Sequence, residues 1–182
     1  YISHEFRTPL SLILGPVKLL LQSADDENAK EQLKLIHRSA RKLNRLVDEI
    51  LDISKIESGE MKLRASQLNI IELVEDICKS FYPLAERKKI NFKVHSTEKE
   101  ITTYIDKNKF DKILTNVLSN AFKFTPEGGK INLYIARKEI DVEIIISDTG
   151  IGIPHYQIDK IFDRFYQVDG SHTREQEGTG IG

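Results

Sequence analysis

Two long segments whose apolar residues recur at helical spacing, joined by a short polar stretch, set narrow terms for any fold of this chain. In residues 6–21 the apolar positions are Leu10, Ile13, Leu14, Val17, Leu20 and Leu21. In the second segment they are Leu35, Ile36, Leu43, Leu46, Val47, Ile50, Ile53 and Ile56, with Lys42, Arg45 and Glu49 off the stripe. Apolar stripes this wide at a 3.6-residue period mark helices that must bury one face. Residues 22–30, with Ser23, Asp25, Asp26 and Asn28, have the makeup of a turn and helix start, and Ser58-Gly59 ends the pattern. Two antiparallel helices cannot cover both stripes alone, so a homodimer completing a four-helix bundle is expected.

After Gly59 the period changes. Residues 61–70 look extended, and residues 71–87 read as one helix with Leu73, Val74, Ile77, Phe81 and Leu84 inward. Residues 91–95 and 102–105 alternate as strands do. Residues 106–124 return to helical spacing through Phe110, Ile113, Leu114, Val117, Leu118 and Ala121, and Pro126-Glu127-Gly128-Gly129 makes a turn. Residues 131–137 and 142–147 read as paired strands, and residues 148–182 are glycine-rich and polar around an amphipathic piece at 158–166. The expected class is α+β. A helical hairpin over 1–60 precedes a second domain over 61–182, with helices on one face of a mixed sheet.

With 27 basic and 28 acidic residues the charges nearly cancel, so no field argues for nucleic acid or an anionic membrane surface. Cys78 is the only cysteine, which excludes an intramolecular disulfide. The apolar runs are too short to span a bilayer, so no membrane contact is expected of this segment. The sequence starts within a helical pattern and stops within a glycine motif, the expectation for an excerpt of a longer protein.

Four segments carry residues suited to chemistry. Ser3-His4-Glu5-Phe6-Arg7-Thr8-Pro9 sets His4 and Thr8 one helical turn apart, with Glu5 beside the imidazole. An imidazole attacks phosphorus well when a carboxylate orients or accepts its other proton, and Pro9 loosens the helix there. An isolated histidine of this kind is more often a surface residue. Asn116, Asn120 and Lys123 share one stripe beside the apolar face of the 106–124 helix. Carboxamide oxygens are hard neutral ligands for Mg²⁺, and an ammonium is a point charge for phosphate; the plain alternative is the polar flank of an amphipathic helix. At Asp148-Thr149-Gly150-Ile151-Gly152 a buried strand is expected to deliver a carboxylate into a turn that lets backbone approach a ligand. A carboxylate there can accept from an exocyclic amine such as that of adenine. Asp-Thr-Gly also surrounds aspartic-protease carboxylates, but those work in pairs and this one has no second copy. Gly178-Thr179-Gly180-Ile181-Gly182 leaves backbone N–H groups open as an anion cradle, behind a polar, lid-like stretch at 167–177.

In order and separation these segments resemble the boxes of the sensor histidine kinases. Ser3 to Leu10 resembles the phosphoacceptor box, Asn116 to Thr125 the N box and Asp148 to Ile153 the first glycine box. Phe162-Asp163-Arg164-Phe165 resembles the F box, and Gly178 to Gly182 the opening of the second glycine box. The stretch 165–178 looks like that of hybrid sensors from gut bacteroidetes.

The resemblance implies a dimerisation and phosphotransfer hairpin over 1–60. Over 61–182 it implies a two-layer α/β sandwich that binds ATP, of the kind shared with the Hsp90, gyrase and MutL ATPases and here truncated at its C-terminus. It implies His4 as phosphoacceptor, Glu5 as its general base, and Thr8 positioning water in a phosphatase reaction. Asn116 and Asn120 would hold Mg²⁺, Lys123 would touch phosphate, and Asp148, Gly150 and Gly152 would form the adenine end. Gly178, Thr179, Gly180 and Gly182 would cradle the phosphates, with Phe162 and Phe165 anchoring the lid. The related ATPases carry a water-activating glutamate where Asn116 stands, so slow hydrolysis is implied. The implied partners are a second copy and the aspartate of a response-regulator receiver domain, in a cytoplasmic segment of a parent anchored in the bacterial inner membrane. The incomplete ATP domain is expected to bind nucleotide weakly. Two rivals remain: a plain ATPase, which leaves the His4 segment unexplained, and a non-catalytic dimeric scaffold.

Overall fold

The computed structural model describes residues 10, 13–17, 19–21, 26–163 and 166. These form two compact units, one reaching Lys62 and the other running from Leu63 to Ile161.

The first unit is helical. Helix α1 is seen at positions 10, 13–17 and 19–21. Helix α2 spans Glu27–Glu57, so it starts within the stretch read as a turn and helix start. Asp26 starts it, its carboxylate accepting from the backbone N–H groups of Asn28 and Ala29 at 3.3 and 3.2 Å. Its end is stopped by Gly59, whose φ of 68° few other residues tolerate and whose N–H donates to the Ile56 carbonyl. Leu10, Ala40 and Val47 form a small buried cluster, flanked by Leu14 and Leu51. Most of the α2 stripe stays open: Leu35, Ile36, Leu43, Ile50 and Ile56 are each exposed within this single chain.

The second unit is α+β. Strand β1 (Ser66–Asn69) runs directly into helix α3 (Ile70–Lys79), where Asn69 Oδ1 accepts from Ile71 N–H and Asn69 Nδ2 donates to Glu72. Asn69 thus serves as the N-cap of α3, and its amide also holds the first-turn Glu72. The single helix expected over 71–87 is interrupted, and α4 (Tyr82–Arg87) is separate. Pro83 is the reason, since its ring would collide with the Lys79 carbonyl in a continuous helix.

Strands β2 (Asn91–Ser96) and β3 (Thr102–Ile105) follow, then helix α5 (Lys107–Phe124), β4 (Lys130–Arg137) and β5 (Val142–Asp148). One mixed sheet was the expectation. The strands divide instead into an antiparallel pair β1-β3 and a mixed sheet β2-β4-β5, with β2 parallel and β5 antiparallel to β4. Pairing partners are chosen by tertiary packing, which local alternation does not encode. A short 3-10 helix, His155–Lys160, overlaps only the first residues of the amphipathic piece read at 158–166.

The core lies between the helices and the three-stranded sheet. Ile131, Leu133 and Ile135 of β4 face Leu114, Leu118 and Phe122 of α5 and Val74 and Cys78 of α3, all nearly fully buried. Phe122 stacks on Phe81 at 5.3 Å and meets Phe92 edge-on at 5.2 Å, a packing worth more than its buried area alone. Strand β5 is half-buried, with Ile145 48% exposed, and among the described residues helices cover one face of its sheet.

Candidate active site

Helix α5 positions the asparagine stripe. Asp106 caps it, accepting from the backbone N–H groups of Asn108 and Lys109, and also ties down Arg64 N–H at 2.8 Å. Those backbone donors, that of Arg64 foremost, hold the Asp106 carboxyl below the usual carboxylate range. Leu114, Leu118, Ala121 and Phe122 are buried, which rotates Asn116 and Asn120 to the exposed side one turn apart. Lys123 continues that stripe half-buried, its ammonium 4.8 Å from the Phe124 ring centroid. Burial pushes the Lys123 ammonium below its usual pKa.

Strand β5 positions the carboxylate. Asp148 ends that strand, exposed, with Oδ1 accepting from Gly150 N–H at 2.8 Å in a tight turn. Thr149 binds both ways to Lys130, its N–H donating to the Lys130 carbonyl and its hydroxyl accepting from Lys130 N–H. A Cβ at Gly150 would sit 2.7 Å from the Phe124 carbonyl oxygen. The backbone of the Asp148 turn therefore rests against the last residue of α5, a contact only glycine permits. Gly152 adopts a φ of 69°, and exposed Ile151 and Ile153 flank it.

The Asn116, Asn120 and Lys123 stripe and the Asp148–Gly152 turn thus converge at the C-terminal half of α5. An exposed carboxylate, two carboxamides and one cation, all near backbone that a glycine keeps open, can hold a polar planar ring at one end and a metal-bound polyphosphate along the helix. Among the described residues no group of three or more His, Cys, Asp and Glu side chains could hold a metal. A cation here would have to arrive with an anionic ligand and be met by amide oxygens, which suits the asparagine pair. His4, Glu5, Thr8, Gly178, Thr179, Gly180, Gly182 and Phe165 lie outside the described residues. Phe162 is 88% exposed.

Sequence reading gave no individual role to two residues at this junction. Lys88, from the end of α4, donates to the carbonyls of Phe122 and Thr125. Thr125 is 1% exposed, and its hydroxyl has no partner among the described residues. No periodicity marks either position. A surface depression of about 660 Å³, lined by Tyr82, Pro83, Lys89 and Phe92 among others, holds none of the motif residues.

Residues 1–59 match the His Kinase A (phospho-acceptor) domain, and residues 105–182 match the histidine kinase-, DNA gyrase B- and HSP90-like ATPase family. The chain is 41% identical over its whole length to hybrid signal transduction histidine kinase D of Dictyostelium discoideum, covering 12% of that protein. It is 33% identical to the autoinducer 2 sensor kinase/phosphatase LuxQ of Vibrio vulnificus, covering 22% of it. Such curated relatives are several times longer than this chain. Among solved structures, full-length ShkA in complex with AMPPNP is similar over 99% of this chain and 38% of that one, with a TM-score of 0.82 and 27% identity. Histidine kinase ThkA in complex with response regulator protein TrrA is similar over 91% of this chain and 49% of that one, with a TM-score of 0.64 and 25% identity. With a phospho-acceptor segment and a histidine-kinase-type ATPase segment in the order its own motifs follow, this chain belongs to the sensor histidine kinase family.

Proposed function

We propose that this chain is the catalytic portion of a kinase that phosphorylates His4 from Mg-ATP and passes the phosphoryl group to an aspartate of a receiver domain. The observation that carries this reading is the convergence of the Asn116–Asn120–Lys123 stripe and the Asp148 turn at one end of α5. Residues 1–60 serve as the phosphotransfer hairpin and residues 61–182 as the nucleotide domain. Asp148 accepts from the adenine amino group, with Gly150 and Gly152 keeping the backbone out of the ring's way. Asn116 and Asn120 meet the Mg²⁺ that accompanies the phosphates, Lys123 neutralises a phosphate oxygen, and Gly178, Thr179, Gly180 and Gly182 supply backbone and hydroxyl donors to the rest.

In the transfer, a lone pair on the His4 imidazole forms the P–N bond. The bond from γ-phosphorus to the bridging oxygen breaks, and ADP leaves with that electron pair. Glu5 orients or accepts the proton on the other ring nitrogen. Positioning supplies most of the acceleration in such transfers, so delivery of the nucleotide to His4 is the step open to control. Asn116 in place of a water-activating carboxylate keeps the γ-phosphoryl for His4 rather than for water. Thr8 positions water for the reverse, dephosphorylating activity toward the partner.

The exposed Leu35, Leu43 and Ile50 stripe of α2 supports a homodimer that buries it in a four-helix bundle. The receiver domain is separate or fused in the same polypeptide, as in a hybrid sensor. No described helix is long and apolar enough to cross a membrane, and the bacterial inner-membrane anchor belongs to the rest of the parent.

The test is transfer of label. The full-length parent, charged with γ-labelled ATP and stripped of nucleotide, is mixed with its receiver domain. Label moving from parent to receiver in wild type, and no charging of His4→Gln, is the expected result. Equal labelling of both parents would overturn it.

A further inference from the structure

We infer that Lys88 is a positioning residue of the nucleotide site, holding the C-terminal turn of α5 in register with the Asp148 turn. The inference rests on the nucleotide-binding reading of that site. The last carbonyls of any α-helix lack partners within the helix. In α5 the Ala121 carbonyl is served by Thr125 N–H at 3.0 Å. Phe122 has no such recourse, because residue 126 is proline and carries no N–H.

The Lys88 ammonium fills that gap. It donates to the Phe122 carbonyl at 2.6 Å and to the Thr125 carbonyl at 3.3 Å, from a half-buried side chain. A cation at this end also complements the helix dipole. The backbone of Lys88 joins the same lacing, its carbonyl accepting from Gly128 N–H at 3.2 Å, while Asn91 N–H donates to the Gly129 carbonyl at 2.9 Å. The joint from α4 to β2 and the joint from α5 to β4 are thereby stitched together, with Lys88 reaching across the seam through both its ammonium and its carbonyl.

What this fixes is the carbonyl of Phe124, two residues on, against which Gly150 rests. Lys123 lies between the two clamped carbonyls and the stripe it belongs to. If the last turn of α5 slips, the phosphate-facing ammonium and the adenine-facing turn move apart. Lys88 touches neither group itself and acts only through the helix end.

The full-length parent, as Lys88→Met, Lys88→Arg and Lys89→Met, is compared with wild type by binding of a fluorescent ATP analogue and by ATP KM and kcat of autophosphorylation, at a temperature where each is folded. Lys89 is the control, since its ammonium pairs with Glu127 on the open surface. Lys88→Met, which keeps the stem and removes the donor, is expected to weaken binding about tenfold, the scale of one charge-assisted hydrogen bond. KM should rise more than kcat falls, Lys88→Arg should restore binding to within about threefold, and Lys89→Met should match wild type. Unchanged binding in folded Lys88→Met, or equal weakening in Lys89→Met, overturns the assignment. Should Lys88→Met not fold, Lys88→Gln is read by the same criteria. Wild type that binds nucleotide beside an indifferent Lys88 variant removes this inference alone; wild type that binds none removes the functional reading beneath it as well.

Discussion

A methyl group at position 150 would lie 2.7 Å from the Phe124 carbonyl oxygen and 2.6 Å from Asp148 Oδ1, closer than van der Waals contact allows. Gly150→Ala must therefore push the Asp148 turn away from α5. Overpacking of this kind costs about 1–3 kcal/mol. Denaturant unfolding of the variant should show that loss, and a midpoint equal to wild type would mean the turn is not pressed on the helix. The glycine itself stood out in the sequence, but the carbonyl it meets did not. Asp148 and Phe124 are joined only by the packing of β5 and α5. Lys88 was less legible still, since its partners lie 34 and 37 residues away and nothing in the run Arg87-Lys88-Lys89 sets it apart from its basic neighbours. Residue types suited to chemistry can be read locally, whereas the residues that hold them depend on contacts far along the chain.

At the scale of elements, α5 was readable because three signals agree on it. Asp106 caps it, Leu114, Leu118 and Ala121 recur on the buried side, and Pro126 closes it. The break between α3 and α4 carried a local sign in Pro83, which apolar spacing across residues 71–87 overrode in the reading. The division of strands into two sheets carried none. Helix α5 also makes a pH prediction through Lys123, whose ammonium burial holds below its usual pKa. In the window between that lowered value and the unfolded one, the unfolded chain binds more protons, so Lys123 makes folding stability rise with pH there. Nucleotide binding runs the other way, because phosphate favours the charged form. ATP affinity should be level at neutral pH and fall as pH rises through the lowered value, earlier than an ordinary lysine would dictate. Titrating affinity against pH checks this, and Lys123→Met should lose about tenfold at neutral pH together with the alkaline limb. An alkaline limb unchanged in Lys123→Met would assign it to another group.

For the molecule as a whole, the first unit leaves an apolar helix face open and the second gathers an asparagine stripe, a lysine and a carboxylate turn at one helix end. Each is incomplete as chemistry. In the proposed reaction the histidine segment supplies the nucleophile and the α5 site holds the phosphoryl donor, and neither suffices without the other. Their presence on one chain, in the order of the family, supports the proposal that the two halves serve a single reaction. The most direct measurement is the ³¹P spectrum of the full-length parent after incubation with Mg-ATP and removal of free nucleotide. The account predicts a phosphoramidate resonance that is lost in acid, survives base, and is missing from His4→Gln. A fully Mg-ATP-saturated parent without that resonance, or one whose resonance persists in His4→Gln, would contradict it.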